Sequence, residues 1–313
     1  MTRLLRNVLI PALLAGLVPA MALANQASYP NAFEVLAHNV FMLPDSLSDW
    51  GQSKRAQLIA ESDYIRDRDV VVLNEIFDND ASNILLDGLE SEYPWQTPVL
   101  GRTRDGWDAT LGSYSGVTPE DGGVAIVSRW PITEQIQYVY SQGCGADYFS
   151  NKGFVYAEIE RQGEIWHVIG THMQADDTGC EDAAAVRASQ FNEMRAFIDD
   201  HAIPADEVLF IGGDMNVKKG TGEYYDMLTR IGVAEPDSYA GADTTWDPVR
   251  DGITDGQYPD YEQGQYLDYV FVSSRHAQPD YWHNQALDVP SPRSATRDHN
   301  SPDHYPQAPG ARV

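Results

Sequence analysis

Six polar side chains fall at or beside the ends of apolar, strand-like runs: Asn39, Glu75, His172, Asp214, Asn216 and Asp268. Their types can bind a hard cation or move a proton. The run Val208-Leu209-Phe210-Ile211 feeds Gly212-Gly213 and then Asp214-Met215-Asn216. Alternate residues of an extended chain share a face, so Asp214 and Asn216 are expected to point the same way. The glycines allow the tight exit a carboxylate needs to reach a metal or a phosphate. Val70-Val71-Val72-Leu73 delivers Asn74-Glu75 in the same manner, and a further run ends at Thr171-His172. Singly, each has an ordinary explanation: Asp and Asn cap loops, and a lone His is usually just hydrogen-bonded. Together they point to one rim of a sheet, where open α/β folds place ligands. Oxygen donors such as Glu75 and Asn39 suit Mg²⁺, and the lack of a Cys/His cluster argues against structural zinc.

These groups need strands and helices to hold them, and the hydrophobic pattern supplies both. Phe33, Val35 and Ala37 alternate in a first strand over 33–40, and helical spacing follows over 53–68. A buried strand over 70–73 precedes a short helix over 81–89. Pro119 to Gly123 reads as a turn entering a strand over 124–127. Val155, Ala157 and Ile159 alternate, as do Ile165 and His167, so the two runs are expected to pair across Gln162-Gly163. Val186, Phe191, Met194, Phe197 and Ile198 mark an amphipathic helix, and Tyr224 to Ile231 another. Leu267 to Val272 is the last clear strand. The tail after Pro306 reads as a poor strand, because Pro309 and Gly310 interrupt it.

The chain has 313 residues, 42% of them hydrophobic, with 17 Tyr and 7 Trp, enough for a packed core. Arg3 and Arg6 precede an apolar run from Val8 to Leu23 that ends in Ala22-Leu23-Ala24, the layout of a cleaved secretory signal over residues 1–24. The remainder would carry 19 basic against 47 acidic side chains, a net −28, where the full chain has −26. That excess repels polyanions and gives no pull toward anionic lipid, so a neutral or zwitterionic substrate fits better than nucleic acid. Cys144 and Cys180 are the two cysteines, and an even count in an exported chain points to a disulfide.

Several stretches carry a specific likeness: Leu36-Ala37-His38-Asn39-Val40-Phe41-Met42-Leu43-Pro44, Leu73-Asn74-Glu75-Ile76-Phe77-Asp78-Asn79, Thr171-His172-Met173-Gln174-Ala175, Gly213-Asp214-Met215-Asn216-Val217 and Asp303-His304-Tyr305-Pro306. With Thr118 to Ser128 and Gly143-Cys144-Gly145 through Asn151-Lys152-Gly153, the chain resembles the exported bacterial neutral sphingomyelinases (sphingomyelinase C) of the deoxyribonuclease-I-like endonuclease/exonuclease/phosphatase superfamily. The resemblance runs from about Ala37 to Pro306. It implies one phosphodiesterase domain over 25–313: a four-layer α/β sandwich of two mixed sheets, with helices outside and the site at one edge. It also implies Mg²⁺-dependent hydrolysis of sphingomyelin to ceramide and phosphocholine, and a Cys144–Cys180 disulfide. Glu75 then corresponds to the main metal ligand, with Asn39 beside it. His304 resembles the general base, Asp303 its neighbour, and His172 the group that stabilises or protonates the leaving alkoxide. Asp214 and Asn216 correspond to residues holding phosphate and attacking water, and Asp268 joins the catalytic set. Asn79, Glu120 and Asp121 match a peripheral metal site.

The residues leave other readings open. Mn²⁺ or Co²⁺ suits the same donors, and sphingomyelin shares its head with other choline phospholipids. A secreted metal-dependent nuclease would use the same motifs, and an inactive secreted binding module is a further alternative. Relatives often carry exposed aromatics just before Asp-His-Tyr-Pro; here Pro290 to Asn300 contains none. A monomer making transient membrane contact without a deep aromatic anchor is therefore expected.

Overall fold

The structure is a computed structural model describing residues 32–47, 50–177, 179–248 and 262–289 and the backbone of 309–312. The chain divides into Met1–Ala32 and Phe33–Val313. The expected leader over residues 1–24 lies outside the described residues, as do Asp303 and His304.

In the second unit the order is β1 Glu34–Met42, α1 Gln52–Glu61, β2 Val70–Ile76, α2 Asn79–Leu89, β3 Trp95–Gln96, β4 Ala109–Gly112, β5 Ala125–Ser128, β6 Ile132–Val139, β7 Gly153–Arg161 and β8 Glu164–His172. Then come α3 Ala183–His201, β9 Val208–Asp214, α4 Gly222–Ile231, β10 Val233–Ala234, β11 Ser238–Gly241, β12 Asp268–Ser273, β13 His283–Ala286 and β14 Pro309–Arg312. One mixed sheet runs β11-β13-β14-β1-β2-β5-β3, the other β10-β12-β9-β8-β7-β6-β4.

Alternation along the strands explains how the layers stack. Val35, Ala37, Val70 and Val72 enter a core shared with β7, β8, β9 and β12 of the other sheet. Leu36, Val71 and Leu73, one residue out of step, pack with Ile59 of α1 and Leu85 of α2 instead. On the far side Phe197 of α3 meets Phe154 and Tyr156, and Tyr224 of α4 meets Tyr269 and Phe271. The expected sandwich of two sheets between helical layers is what the chain forms. Burying each large apolar side chain contributes about 1.5–3 kcal/mol. The sheets approach closely at Gly170, where a Cβ would lie 2.7 Å from Val72 Cγ1.

The expected hairpin forms as β7 and β8, antiparallel, with Gln162 and Gly163 both at positive φ as a tight two-residue turn requires. Two expectations fail. The helix expected over 53–68 stops at Glu61, because Ser62 is extended and its hydroxyl donates to the Leu58 carbonyl, before a 3-10 turn Asp63–Ile65. The tail is a strand after all: β14 lies between β13 and β1, antiparallel to both. Pro309 is its first residue, where a missing N–H disturbs the ladder least.

Candidate active site

Strand register alone gathers the polar residues. Asn39 sits opposite Asn74 across parallel β1 and β2, His172 opposite Asp214 across parallel β8 and β9, and Asp268 opposite Asp214 across antiparallel β12 and β9. All are therefore at one edge of the two sheets. Buried Asn74 links the sheets there: its Nδ2 donates to the Thr171 carbonyl at 2.9 Å, and its Oδ1 accepts from Asp214 N–H at 3.3 Å.

Glu75 departs from strand geometry, with φ at +56°, and Phe41 does so on β1 at +48°, beside an irregularity in the β1–β2 pairing. Non-glycine residues rarely adopt this region, and functional sites are where such strain concentrates. The turn frees the Glu75 side chain from the alternation that would carry it to the helical layer. Asn39 Nδ2 donates to Glu75 Oε1 at 2.8 Å and to Asp214 Oδ2 at 2.9 Å, so one amide spans two carboxylates. Its Oδ1 accepts from Phe41 N–H at 3.0 Å.

His172 Nε2 lies 3.7 Å from Glu75 Oε1 and 3.9 Å from Asp214 Oδ2. These three side chains have potential ligand atoms all within 4.8 Å of one another. Asp268 is buried beside them, its Oδ2 accepting from Thr245 Oγ1 at 2.7 Å. His172 Nδ1 and Asp268 Oδ1 are both buried with no hydrogen-bond partner among the described residues. Burial pushes Glu75 up to about 7, against the opposing pull of Asn39 and Lys152. It also raises Asp214, and raises Asp268 well above the carboxylate range with help from the charge of Asp214. Burial and the Lys152 ammonium drive His172 well below its ordinary value.

Three crowded, buried carboxyl groups, each raised above its ordinary value by burial, make a site short of positive charge. Their oxygens are the donors a hard divalent cation takes, so the residues present fit Mg²⁺. Glu75 and Asp214 would hold it, with the His172 ring nitrogen within reach. Asn39 acts here as the spacer that keeps the two carboxylates together.

Asn216 reaches the site by a route other than alternation. β9 ends at Asp214, and Asn216 turns to φ +51°, its N–H donating to Asp214 Oδ1 at 2.8 Å and its Nδ2 to the Met173 carbonyl at 3.1 Å. Of the peripheral set, Glu120 and Asp121 adjoin, and the charges of Asp121 and Asp78 help burial raise the Glu120 carboxyl. Asp121 is engaged by Arg102 Nε and Gly123 N–H, each at 2.8 Å. Asn79 opens α2, which Asp78 caps through Ala81 N–H.

Sequence reasoning gave Lys152 no role. Its side chain is buried, and Nζ lies 3.2 Å from His172 Nε2, 2.8 Å from Asp147 Oδ2 and 3.2 Å from the Met173 carbonyl. Only its place in the Asn151-Lys152-Gly153 stretch marked it. Cys144 and Cys180 are disulfide-bonded, as expected, with Cα atoms 5.1 Å apart. Among the described residues no helix is long and apolar enough to cross a membrane.

Comparison with known proteins places this geometry in context. The Endonuclease/Exonuclease/phosphatase family matches residues 36–291. A sphingomyelinase C of Leptospira interrogans is 49% identical over 294 residues, covering 91% of this chain and 52% of that protein, so the chain spans about half its length. A sphingomyelinase C of Listeria ivanovii is 45% identical over 296 residues, covering 91% of this chain and 88% of that protein. A doubly substituted beta toxin from Staphylococcus aureus, solved with bound magnesium ions, superposes with a TM-score of 0.86 at 44% identity, covering 90% of this chain and 99% of that one.

Proposed function

The chain belongs to the sphingomyelinase C group of the endonuclease/exonuclease/phosphatase family, and from that premise we propose that it hydrolyses sphingomyelin to ceramide and phosphocholine in a Mg²⁺-dependent reaction. The observation that carries the reading is the cluster of Glu75, Asp214 and His172, ligand atoms within 4.8 Å, beside buried Asp268. Glu75, with Asn39 beside it, and Asp214 would hold Mg²⁺, or Mn²⁺ or Co²⁺ on the same donors, and the cation would neutralise charge building on the phosphoryl oxygens.

The protein groups divide the remaining work. Asp214, fixed by Asn39 and by the Asn216 N–H, orients the phosphodiester and the incoming water together with the Asn216 amide. His304, with Asp303 beside it, takes the proton of that water; both lie outside the described residues. His172, with the Lys152 ammonium against its Nε2, stabilises the departing ceramide oxygen on the other side. Water adds to phosphorus as its proton passes to His304, the bond to the ceramide oxygen breaks, and that oxygen takes its proton from the His172–Lys152 pair. Asn79, Glu120 and Asp121 form a second cation site at the periphery.

The acidic chain, net −26, favours a zwitterionic lipid over nucleic acid. The reading also includes export after cleavage near Ala24, action as a monomer, and transient contact with the membrane surface. Phosphocholine release from a panel of sphingomyelin, phosphatidylcholine and lysophosphatidylcholine, with and without Mg²⁺, tests it alongside nicking of plasmid DNA. Chelator-sensitive release from sphingomyelin is expected. Cleavage of DNA without release from any lipid would overturn the assignment.

A further inference from the structure

The turn Gly145–Phe149 carries two aromatic side chains into solvent: Tyr148 is 69% exposed and Phe149 56%, their rings edge to face at 5.3 Å. A second segment lies against it. Ser115 N–H donates to Asn151 Oδ1 at 3.1 Å, Glu120 N–H donates to the Phe149 carbonyl at 3.1 Å, and between them Val117 is 93% exposed. Exposed apolar side chains gathered on adjoining loops, unlike singly scattered ones, are a signature of a contact surface.

The turn is also wired to the reaction site. Asp147, next to Tyr148, accepts from Lys152 Nζ and from Ala175 N–H, both at 2.8 Å, and Lys152 in turn contacts His172. Cys144, at the turn's start, is tied by its disulfide to Cys180 in the segment after β8. The aromatic pair is thus held on a braced support, one residue from Asp147, which holds the Lys152 ammonium against His172.

We propose that Tyr148, Phe149 and Val117 are the surface with which the enzyme rests on a bilayer of zwitterionic phosphocholine lipid. This rests on the lipid reading above. A lipid whose head enters the site keeps its chains in the bilayer, so the protein surface adjoining His172 must face that bilayer. Aromatic side chains favour the membrane interface, where apolar faces are buried and polar edges stay wet. With a net charge of −26 the chain gains nothing from anionic headgroups, which selects a zwitterionic surface. A short aromatic turn supplies shallow apolar area without a deep anchor.

The test compares wild type with a Tyr148→Ser/Phe149→Ser double variant and, separately, Val117→Ser. Partitioning onto sphingomyelin–phosphatidylcholine vesicles is measured by sedimentation in EDTA, where no turnover occurs. Phosphocholine release in Mg²⁺ is measured from the same vesicles and from a short-chain sphingomyelin kept below its micelle concentration. The double variant is expected to lose at least about tenfold in partitioning and in rate on vesicles, given the apolar area removed. Its rate on the dispersed substrate should stay within about twofold, which also reports that it is folded. Val117→Ser should show a smaller loss of the same kind. Equal partitioning of wild type and double variant, or an equal loss on both substrates, would overturn the proposal. If wild type releases phosphocholine from neither substrate, the enzymatic reading fails, and the partitioning result still decides the surface.

Discussion

Lys152 Nζ lies 3.2 Å from His172 Nε2 and 2.8 Å from Asp147 Oδ2, so a buried ammonium stands between the imidazole and an acid. An ammonium has donors and no acceptor, so in this pairing Nε2 accepts and Nδ1 carries the ring proton. The same positive charge, after burial, keeps the imidazole neutral well below its ordinary range. Lys152→Met should therefore let His172 protonate at higher pH. The expected result is a fall in kcat of roughly 10²-fold and an acid limb of the kcat–pH profile displaced upward. A lower kcat with the limb in place would leave Lys152 as packing alone.

The two histidines carry the proton transfers in this scheme. His172→Ala and His304→Ala should each lower turnover by at least about 10²-fold, the low end for general acid–base catalysis. Steady-state phosphocholine release at saturating Mg²⁺ measures it. Near-wild-type turnover in either variant would break the assignment of that residue.

Burial holds Glu75 at about 7, above its ordinary 4.5. A carboxyl whose folded value is raised takes up protons on folding. Its contribution to stability is complete below the unfolded value and is lost as pH rises through about 7. A divalent cation binds the ionised carboxylate and so offsets the loss. Metal-stripped protein should gain several degrees of Tm from about 10 mM Mg²⁺ at pH 8, and little at pH 5. Glu75→Gln should remove most of that difference. A Mg²⁺ shift equal at both pH values would mean the cation binds elsewhere.

The sandwich was legible because its central strands are apolar runs. Val70 to Leu73, Val208 to Ile211 and the 267–272 run each became an interior strand. β6 was missed because Glu134, Gln135 and Gln137 interrupt it, although Gln137 is buried, donating to Thr110 Oγ1 at 2.7 Å. β14 was missed because Pro and Gly are read as strand breakers, whereas pairing with β1 and β13 is a tertiary choice. At the site, Glu75, Asp214, His172 and Asp268 were visible as polar residues at or beside strand ends. What alternation could not reveal was the positive φ of Glu75 and Asn216, which aims them, or the reach of Lys152 from the start of β7.

Gly213 is the backbone position where the site tolerates least. Its φ is +135°, and a Cβ there would lie 1.9 Å from the Thr171 carbonyl oxygen. That oxygen already accepts from Asn74 Nδ2, so it cannot retreat without breaking the link between the sheets. Gly213→Ala should cost at least about 2 kcal/mol, combining unfavourable φ with a backbone clash. Thermal unfolding should show a Tm lower by roughly 4–8 °C. An unchanged Tm would mean that β8 and β9 can part at the site freely.

The Cys144–Cys180 disulfide closes a loop of 36 residues in sequence separation. In the chain-entropy account such a crosslink contributes about 4 kcal/mol, by restricting the unfolded chain. Its local role in the native state is shared with other contacts. Cys144 N–H donates to Gln174 Oε1 at 2.9 Å, Gln174 Nε2 donates back to the Cys144 carbonyl at 3.1 Å, and Asp147 is fixed by Lys152 and Ala175. Those bonds position the turn beside Lys152 whether or not the sulfurs are joined. Cys144→Ser/Cys180→Ser should therefore lower Tm by roughly 10 °C while turnover at about 20 °C stays within about threefold. Asp147→Asn is the complement: it leaves the crosslink intact but removes the charge that holds the Lys152 ammonium, and turnover should fall at least about tenfold with a smaller change in Tm. If loss of the disulfide alone abolished turnover at low temperature, the crosslink rather than the Asp147–Lys152 pair would be what sets His172 in place.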